Sequence, residues 1–123
     1  VLANRIASAA DMAASWGHIV LLKGAYTVIA APDARLMVLP FANPGLATAG
    51  SGDVLAGAVL GMRAQGLAPF EAAVVGGYLH GLAGELARDE LYQAGTIAGD
   101  LVERLPRAIR RLKGLASSPS RDA

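Results

Sequence analysis

Residues Asn43 to Asp53, read Asn-Pro-Gly-Leu-Ala-Thr-Ala-Gly-Ser-Gly-Asp, place three glycines ahead of a carboxylate and of the apolar run Val54-Leu55-Ala56. Glycine lets backbone N–H groups come close to a ligand and tolerates positive φ. A helix starting at Ser51 would add unpaired N–H donors and a partial positive charge. Together these features make a phosphate cradle. Asp53 would sit in the first turn, where a carboxylate can accept a proton from an attacking hydroxyl. A simpler reading is equally open on spacing alone. In it Ser51 caps the helix, the glycines serve a turn and Asp53 complements the dipole. A Walker loop is excluded, because no Gly-Lys-Ser/Thr follows.

The elements that must position these residues are legible in outline. Ala3 to Trp16 carries Ile6, Ala9, Ala10, Ala13 and Ala14 at helical spacing and meets Gly17. His18 to Leu22 is a short apolar run that reads as a buried parallel strand. Tyr26 to Ala30 and Leu36 to Leu39 predict two further strands, joined as a hairpin by Pro32-Asp33-Ala34-Arg35. Pro40 to Gly50 reads as a loop and Ser51 to Gln65 as a helix stopped by Gly66. Pro69 opens another helix, to about Leu91, at the position where its missing N–H does no harm. Ile97 to Leu112 predicts a last helix broken near Pro106. Residues 117–123 are rich in Ser, Pro and Arg and are expected to be disordered. A single parallel strand cannot make a sheet, so an incomplete α/β domain is expected over residues 1–116.

Composition narrows the class. With 54% hydrophobic residues in 123, the chain has more apolar surface than a small free-standing domain needs. Its faces therefore expect partners. A net charge of +1 argues against nucleic acid. The late cluster Arg104, Arg107, Arg110, Arg111 and Lys113 reads as a solvated helix favouring cations at its negative end. Absence of cysteine excludes disulfides and thiolate metal sites and fits a reducing compartment. No basic segment followed by a long apolar one stands at the start, so no secretion signal is expected. The apolar stretches at 54–62 and 72–79 fall short of the roughly 20 residues a membrane span needs.

Three ordered motifs add a resemblance. Asn43-Pro44-Gly45 … Thr48-Ala49-Gly50-Ser51-Gly52-Asp53-Val54-Leu55-Ala56-Gly57 resembles the signature of the ADP-dependent NAD(P)H-hydrate dehydratases, of the ribokinase-like superfamily. Leu22-Lys23-Gly24-Ala25-Tyr26-Thr27-Val28-Ile29 resembles their nucleotide-binding segment, and Tyr78-Leu79-His80-Gly81-Leu82-Ala83-Gly84 matches their downstream pattern. The similarity runs from about Asn4 to Leu105. Leu46 stands where the family usually has Met, Ala49 and Ala34 where it has Gly, and Gly99 where it has Ser. Alanine at 49 would be strained if that position required positive φ.

The resemblance implies the C-terminal portion of a three-layer ribokinase-like α/β fold, with helices packed on a mostly parallel sheet. It implies ADP-dependent dehydration of hydrated NADH or NADPH, giving AMP and phosphate. Asp53 becomes the base and a substrate contact. Lys23, Gly24, Ala25, Tyr26, Thr27 and Gly52 become AMP contacts, and Ala49, Gly50, Ser51 and Gly52 the phosphate cradle. ADP is the expected phosphoryl donor, with Mg2+, although no side-chain cluster here has metal-ligand spacing. Expected partners are the hydrated dinucleotide, a missing N-terminal half of the domain and further copies in a homo-oligomer such as a tetramer, in the cytoplasm. No nucleic acid or membrane partner is expected. The alternatives are another ribokinase-like small-molecule kinase, sharing Gly-Ser-Gly-Asp, and a non-catalytic half-domain. His80 is expected to be structural, Trp16 core or interface, and the pairs Gly57/Gly61 and Gly77/Gly81 sites of close helix packing.

Overall fold

The computed structural model describes residues 1–92 and 95–117. Helix α1 (Leu2–Trp16) ends at Gly17, whose φ of 66° lets its N–H return to the Ala13 carbonyl at 3.0 Å. Three strands follow, β1 (Val20–Leu22), β2 (Val28–Ala30) and β3 (Leu36–Val38). They form one antiparallel sheet in the order β1-β2-β3, with Leu21 opposite Ile29 and Ile29 opposite Met37.

This corrects the parallel reading of His18 to Leu22 against its neighbour among the described residues. A continuous apolar run reports cover on both faces, not direction. Residues 23–27 that link β1 to β2 are too few for a parallel crossover, which needs about a dozen. The cover itself is as expected. Val20, Val28 and Ala30 pack against Ala9 and Ala13 of α1, while Ile29 and Leu39 turn the other way onto Ala73. Strand β2 is therefore buried along its whole length. It starts at Val28 rather than Tyr26, because Tyr26 leaves the extended region with φ 55°.

The turn between β2 and β3 contains a local conflict. Ala34 donates its N–H to the Ala31 carbonyl at 3.1 Å and adopts φ 72°. This is the left-handed position that glycine fills in such hairpins. Ala34→Gly is expected to stabilise the full-length protein by about 0.5–1 kcal/mol, removing a left-handed strain of about 1–2 kcal/mol against the entropy glycine adds to the unfolded chain. Denaturant titration measures it; an unchanged or lower midpoint counts against the strain.

Beyond the sheet lie a short 3-10 turn (Pro44–Ala47), α2 (Ser51–Ala64), α3 (Pro69–Leu91) and α4 (Ala98–Ser117). They form the third layer, with α3 between α2 and α4. Leu79, Leu82, Ala83 and Leu86 of α3 meet Leu105, Ala108, Ile109 and Leu112 of α4. The expected break at Pro106 does not occur: α4 runs through it. Pro106 and Val102, one turn earlier, are both exposed. Water can therefore take the carbonyl that proline leaves without a donor. Arg104, 9% exposed, is not a solvated cation. It donates to the Glu90 carboxylate at 2.8 and 3.1 Å and to the Asp100 carbonyl at 2.9 Å, and Arg107 also meets Glu90. Arg110 and Arg111 are exposed, as expected for the late basic cluster. The expected disordered tail lies outside the described residues except for Ser117, which ends α4.

Candidate active site

The path from β3 to the cradle is fixed by glycines on α3. Gly77, Gly81 and Gly84 share one face at i, i+4 and i+7. A Cβ on them would lie 2.7, 2.1 and 2.4 Å from the side chains of Leu39, Phe41 and Leu46 respectively. The chain thus lies against the helix backbone, held by Asn43, whose Nδ2 donates to the Gly84 carbonyl at 2.9 Å while its Oδ1 accepts from the Gly45 N–H at 2.9 Å. The expectation for Gly77 and Gly81 is met. It fails for Gly57 and Gly61, where a Cβ would meet nothing within 4 Å among the described residues.

At the head of α2, Gly50 is the cap residue with φ 83°. Asp53 and Val54 return their N–H groups to its carbonyl at 3.1 and 3.2 Å, and Ser51 donates its N–H to Thr48 at 3.1 Å. The amides of Ala49, Gly50 and Gly52 find no acceptor among the described residues. Three of the four expected cradle donors are therefore free, and Ser51 is not one of them. Ala49 is absent from the positive-φ residues, so alanine is tolerated where the family has glycine. The Asp53 carboxylate is exposed in the first turn and has no protein partner among the described residues.

The second motif reaches the same place. Lys23 leaves the end of β1 and donates from Nζ to the Ser51 hydroxyl at 2.7 Å and to the Leu46 carbonyl at 2.8 Å. The Ser51 hydroxyl in turn donates to Leu46 at 2.6 Å. Ser51 is thus a bridge and not the side-chain cap that the simpler reading required. Lys23, Gly24, Ala25 and Thr27 line one cavity of about 450 Å³ with Phe41, Asn43, Leu46 and His80. Its lining holds one lysine and no carboxylate, which favours an anion. Tyr26 is not part of that wall. It is exposed, and its N–H is held by the Phe41 carbonyl at 2.7 Å. Gly52 lines a separate apolar groove of about 590 Å³, shared with Lys23, Leu21, Leu55 and Ala73. Ala49, Gly50 and Asp53 line neither space.

His80 is structural, as expected. It is 3% exposed and lies 2.9 Å through Nε2 from the Ser51 carbonyl. A carbonyl can only accept, so Nε2 carries the proton. Burial holds its pKa below the ordinary 6.5; the bond to Ser51 opposes that shift and the Lys23 charge adds to it. A histidine depressed in the folded state contributes stability that is present above pH about 6.5 and lost as pH falls. The melting temperature is therefore expected to drop between about pH 7.5 and pH 5.5. His80→Gln should flatten that slope, whatever it does to the absolute value; an unchanged slope would assign the effect to other groups.

Arg5 carried no signal in the sequence. It reaches residues 22–25 from 17 and 20 residues away, with no spacing signal, and donates to the carbonyls of Leu22 at 3.1 Å and Ala25 at 2.5 Å. Among the described residues no group of three or more His, Cys, Asp or Glu could hold a metal, and no helix is long and apolar enough to cross a membrane.

Comparison with known proteins gives the family and the fold. Residues 1–107 match the family of NAD(P)H-hydrate dehydratases. The chain is 49% identical over 110 residues to a bifunctional NAD(P)H-hydrate repair enzyme of Moorella thermoacetica, covering 89% of this chain and 21% of that one. It is 42% identical to an ADP-dependent (S)-NAD(P)H-hydrate dehydratase of Neisseria meningitidis, covering 92% of this chain and 37% of that protein. Among solved structures, the ADP/ATP-dependent NAD(P)H-hydrate dehydratase of Bacillus subtilis, co-crystallised with ATP and Mg2+, superposes with a TM-score of 0.84 at 37% identity. That match covers 89% of this chain and 40% of the other. The chain thus spans between about a fifth and two fifths of the length of these relatives. Its layered helix–sheet–helix arrangement is part of their ribokinase-like fold, and the chain belongs to the NAD(P)H-hydrate dehydratase family.

Proposed function

We propose that this chain is the C-terminal part, residues 1–116, of a domain that dehydrates hydrated NADH or NADPH at the expense of ADP. The observation that carries the reading is the juxtaposition at the head of α2. Three unpaired amides, Ala49, Gly50 and Gly52, stand beside the free Asp53 carboxylate, and Lys23 ties the other motif to them through Ser51. Asp53 takes the proton of the C6 hydroxyl of the hydrated nicotinamide ring. That oxygen accepts the terminal phosphoryl group of ADP, leaving AMP. The C–O bond then breaks with electron push from the ring nitrogen, phosphate departs, and loss of the proton on the neighbouring carbon restores the double bond. The cradle amides meet negative charge as it develops on the transferring group, where fixed donors have most effect. Lys23, Gly24, Ala25 and Thr27 hold the AMP portion from the cavity wall, Tyr26 meets it from outside that wall and Gly52 from the neighbouring groove. Mg2+ bound with the nucleotide would offset the charge of its phosphates; among the described residues no group of three or more His, Cys, Asp or Glu could hold it.

The remainder of the domain covers the apolar groove between β1 and α2 and extends the sheet from the open side of β1. The relatives' greater length supports there being such a remainder, and the open groove and the edge position of β1 support this placement. The exposed Trp16, at 61%, and Met37 suit contact with further copies in a homo-oligomer, and the lack of cysteine suits the cytoplasm. The test is incubation of the full-length protein with hydrated NADH and ADP. Recovery of NADH absorbance with stoichiometric AMP supports the reading. Transfer of phosphate to a stable alcohol without NADH recovery would favour a small-molecule kinase instead.

A further inference from the structure

We propose that Arg5 of α1 is a positioning residue for the nucleotide, holding residues 22–25 in the shape that binds it; this rests on the function proposed above. β1 ends at Leu22, which still pairs with Val28, and the chain then leaves the sheet through Lys23, Gly24 and Ala25. The Arg5 guanidinium ties that exit to the strand end, donating to the Leu22 and Ala25 carbonyls with two different nitrogens. A planar fork bridges two acceptors in this way, whereas a lysine ammonium is a single point. The loop is also held from within, since Thr27 Oγ1 accepts from the Gly24 N–H at 3.3 Å and donates to the Gly24 carbonyl at 3.1 Å.

Gly24 explains the closeness of this contact. A Cβ there would lie 2.7 Å from Arg5 Nη2. Glycine at 24 leaves that space to the guanidinium and also adopts φ 159°, a backbone conformation that other residues rarely take. Arg5 therefore acts on the wall formed by Lys23, Gly24, Ala25 and Thr27 from behind, without lining the cavity itself. Its charge also adds to that of Lys23 beside a cavity whose lining has no carboxylate.

The experiment compares full-length wild type with Arg5→Ala, Arg5→Lys and Gly24→Ala. AMP affinity is read by calorimetry, KM for ADP and kcat by NADH recovery, and amide exchange over residues 22–27 by mass spectrometry. Arg5→Ala is expected to weaken AMP binding and raise KM for ADP about tenfold, with a smaller change in kcat. Exchange should speed up in residues 22–27 and not elsewhere. Arg5→Lys should restore only part of the affinity. Gly24→Ala should weaken AMP binding as well, through its own backbone strain and its place on the cavity wall, so the contrast between Arg5→Ala and Arg5→Lys is what isolates the guanidinium. Wild-type AMP affinity and exchange in Arg5→Ala overturn the proposal while the function stands. A loss spread over Tm, kcat and exchange throughout the chain also overturns it, in favour of a purely structural arginine. A wild-type protein that binds no AMP overturns the function itself, and with it the role of Arg5.

Discussion

Replacing Asp53 by Asn in the full-length protein is expected to lower the rate of NADH recovery by about 10²–10⁴-fold while AMP affinity stays within about twofold. The change is nearly isosteric. Asp53 is exposed and holds no side-chain partner among the described residues, so nothing in the fold depends on its carboxylate. What disappears is a proton acceptor beside the cradle amides. The helix N-terminus also loses a favourable charge, worth about 0.3–1 kcal/mol, which is small against the effect on rate. The separation of the two readouts is the informative part. An enzyme with near-normal turnover would remove Asp53 from the chemistry. One that had lost AMP binding as well would make the carboxylate a support of the cradle and not a base.

The second large effect is expected at Gly81 of α3. Alanine there brings a Cβ to 2.1 Å from Cδ2 of Phe41 and 2.6 Å from Cε2, well inside contact distance. Phe41 has little room to retreat, since its ring meets Tyr78 edge-on at 5.1 Å and its carbonyl holds the Tyr26 N–H. Overpacking of this kind costs about 1–3 kcal/mol, against a gain of about 1 kcal/mol from replacing glycine inside a helix. Because Phe41 lines the cavity with Lys23 and His80, Gly81→Ala should weaken AMP binding as well as lower the melting temperature. Gly76→Ala is the matched comparison. Its Cβ would come within 2.8 Å of the Val59 backbone on α2, which cannot swing aside. It should therefore destabilise at least as much while affecting the nucleotide cavity less. At about 2–4 °C per kcal/mol for a domain of about 150–250 residues, thermal melts resolve both. If Gly81→Ala binds AMP normally, Phe41 is not a wall on which the nucleotide depends.

Much of the candidate site could be read along the chain because its parts are local. The cradle is contiguous from Ala49 to Asp53, and the cavity wall runs from Lys23 to Thr27 with only Tyr26 left out, so motif and site nearly coincide. Three details could not be read this way. Ser51 looked like a helix cap, but its hydroxyl instead joins Lys23 to Leu46, a partnership that depends on where β1 ends relative to α2. Tyr26 belongs to the motif but not to the cavity wall, because its left-handed backbone takes it out of line. Pro106 read as a break because proline removes a donor, and only the exposure of Val102 shows that water can satisfy the carbonyl left behind.

By itself the sequence determined the order of helices and strands, the hairpin at 32–35, the start of α2 at Ser51 and the residue types that could hold a phosphate. These follow from periodicity, glycine and proline placement and side-chain chemistry within a few residues of one another. The tertiary structure decided the direction of β1, the pressing of the 39–46 path onto the glycine face of α3, and the convergence of Arg5, Lys23, Ser51 and His80 from four elements. Each of those depends on which surfaces meet across tens of residues. Burial and hydrogen-bond demand are met only when the layers close, and a local pattern carries no record of its distant partner.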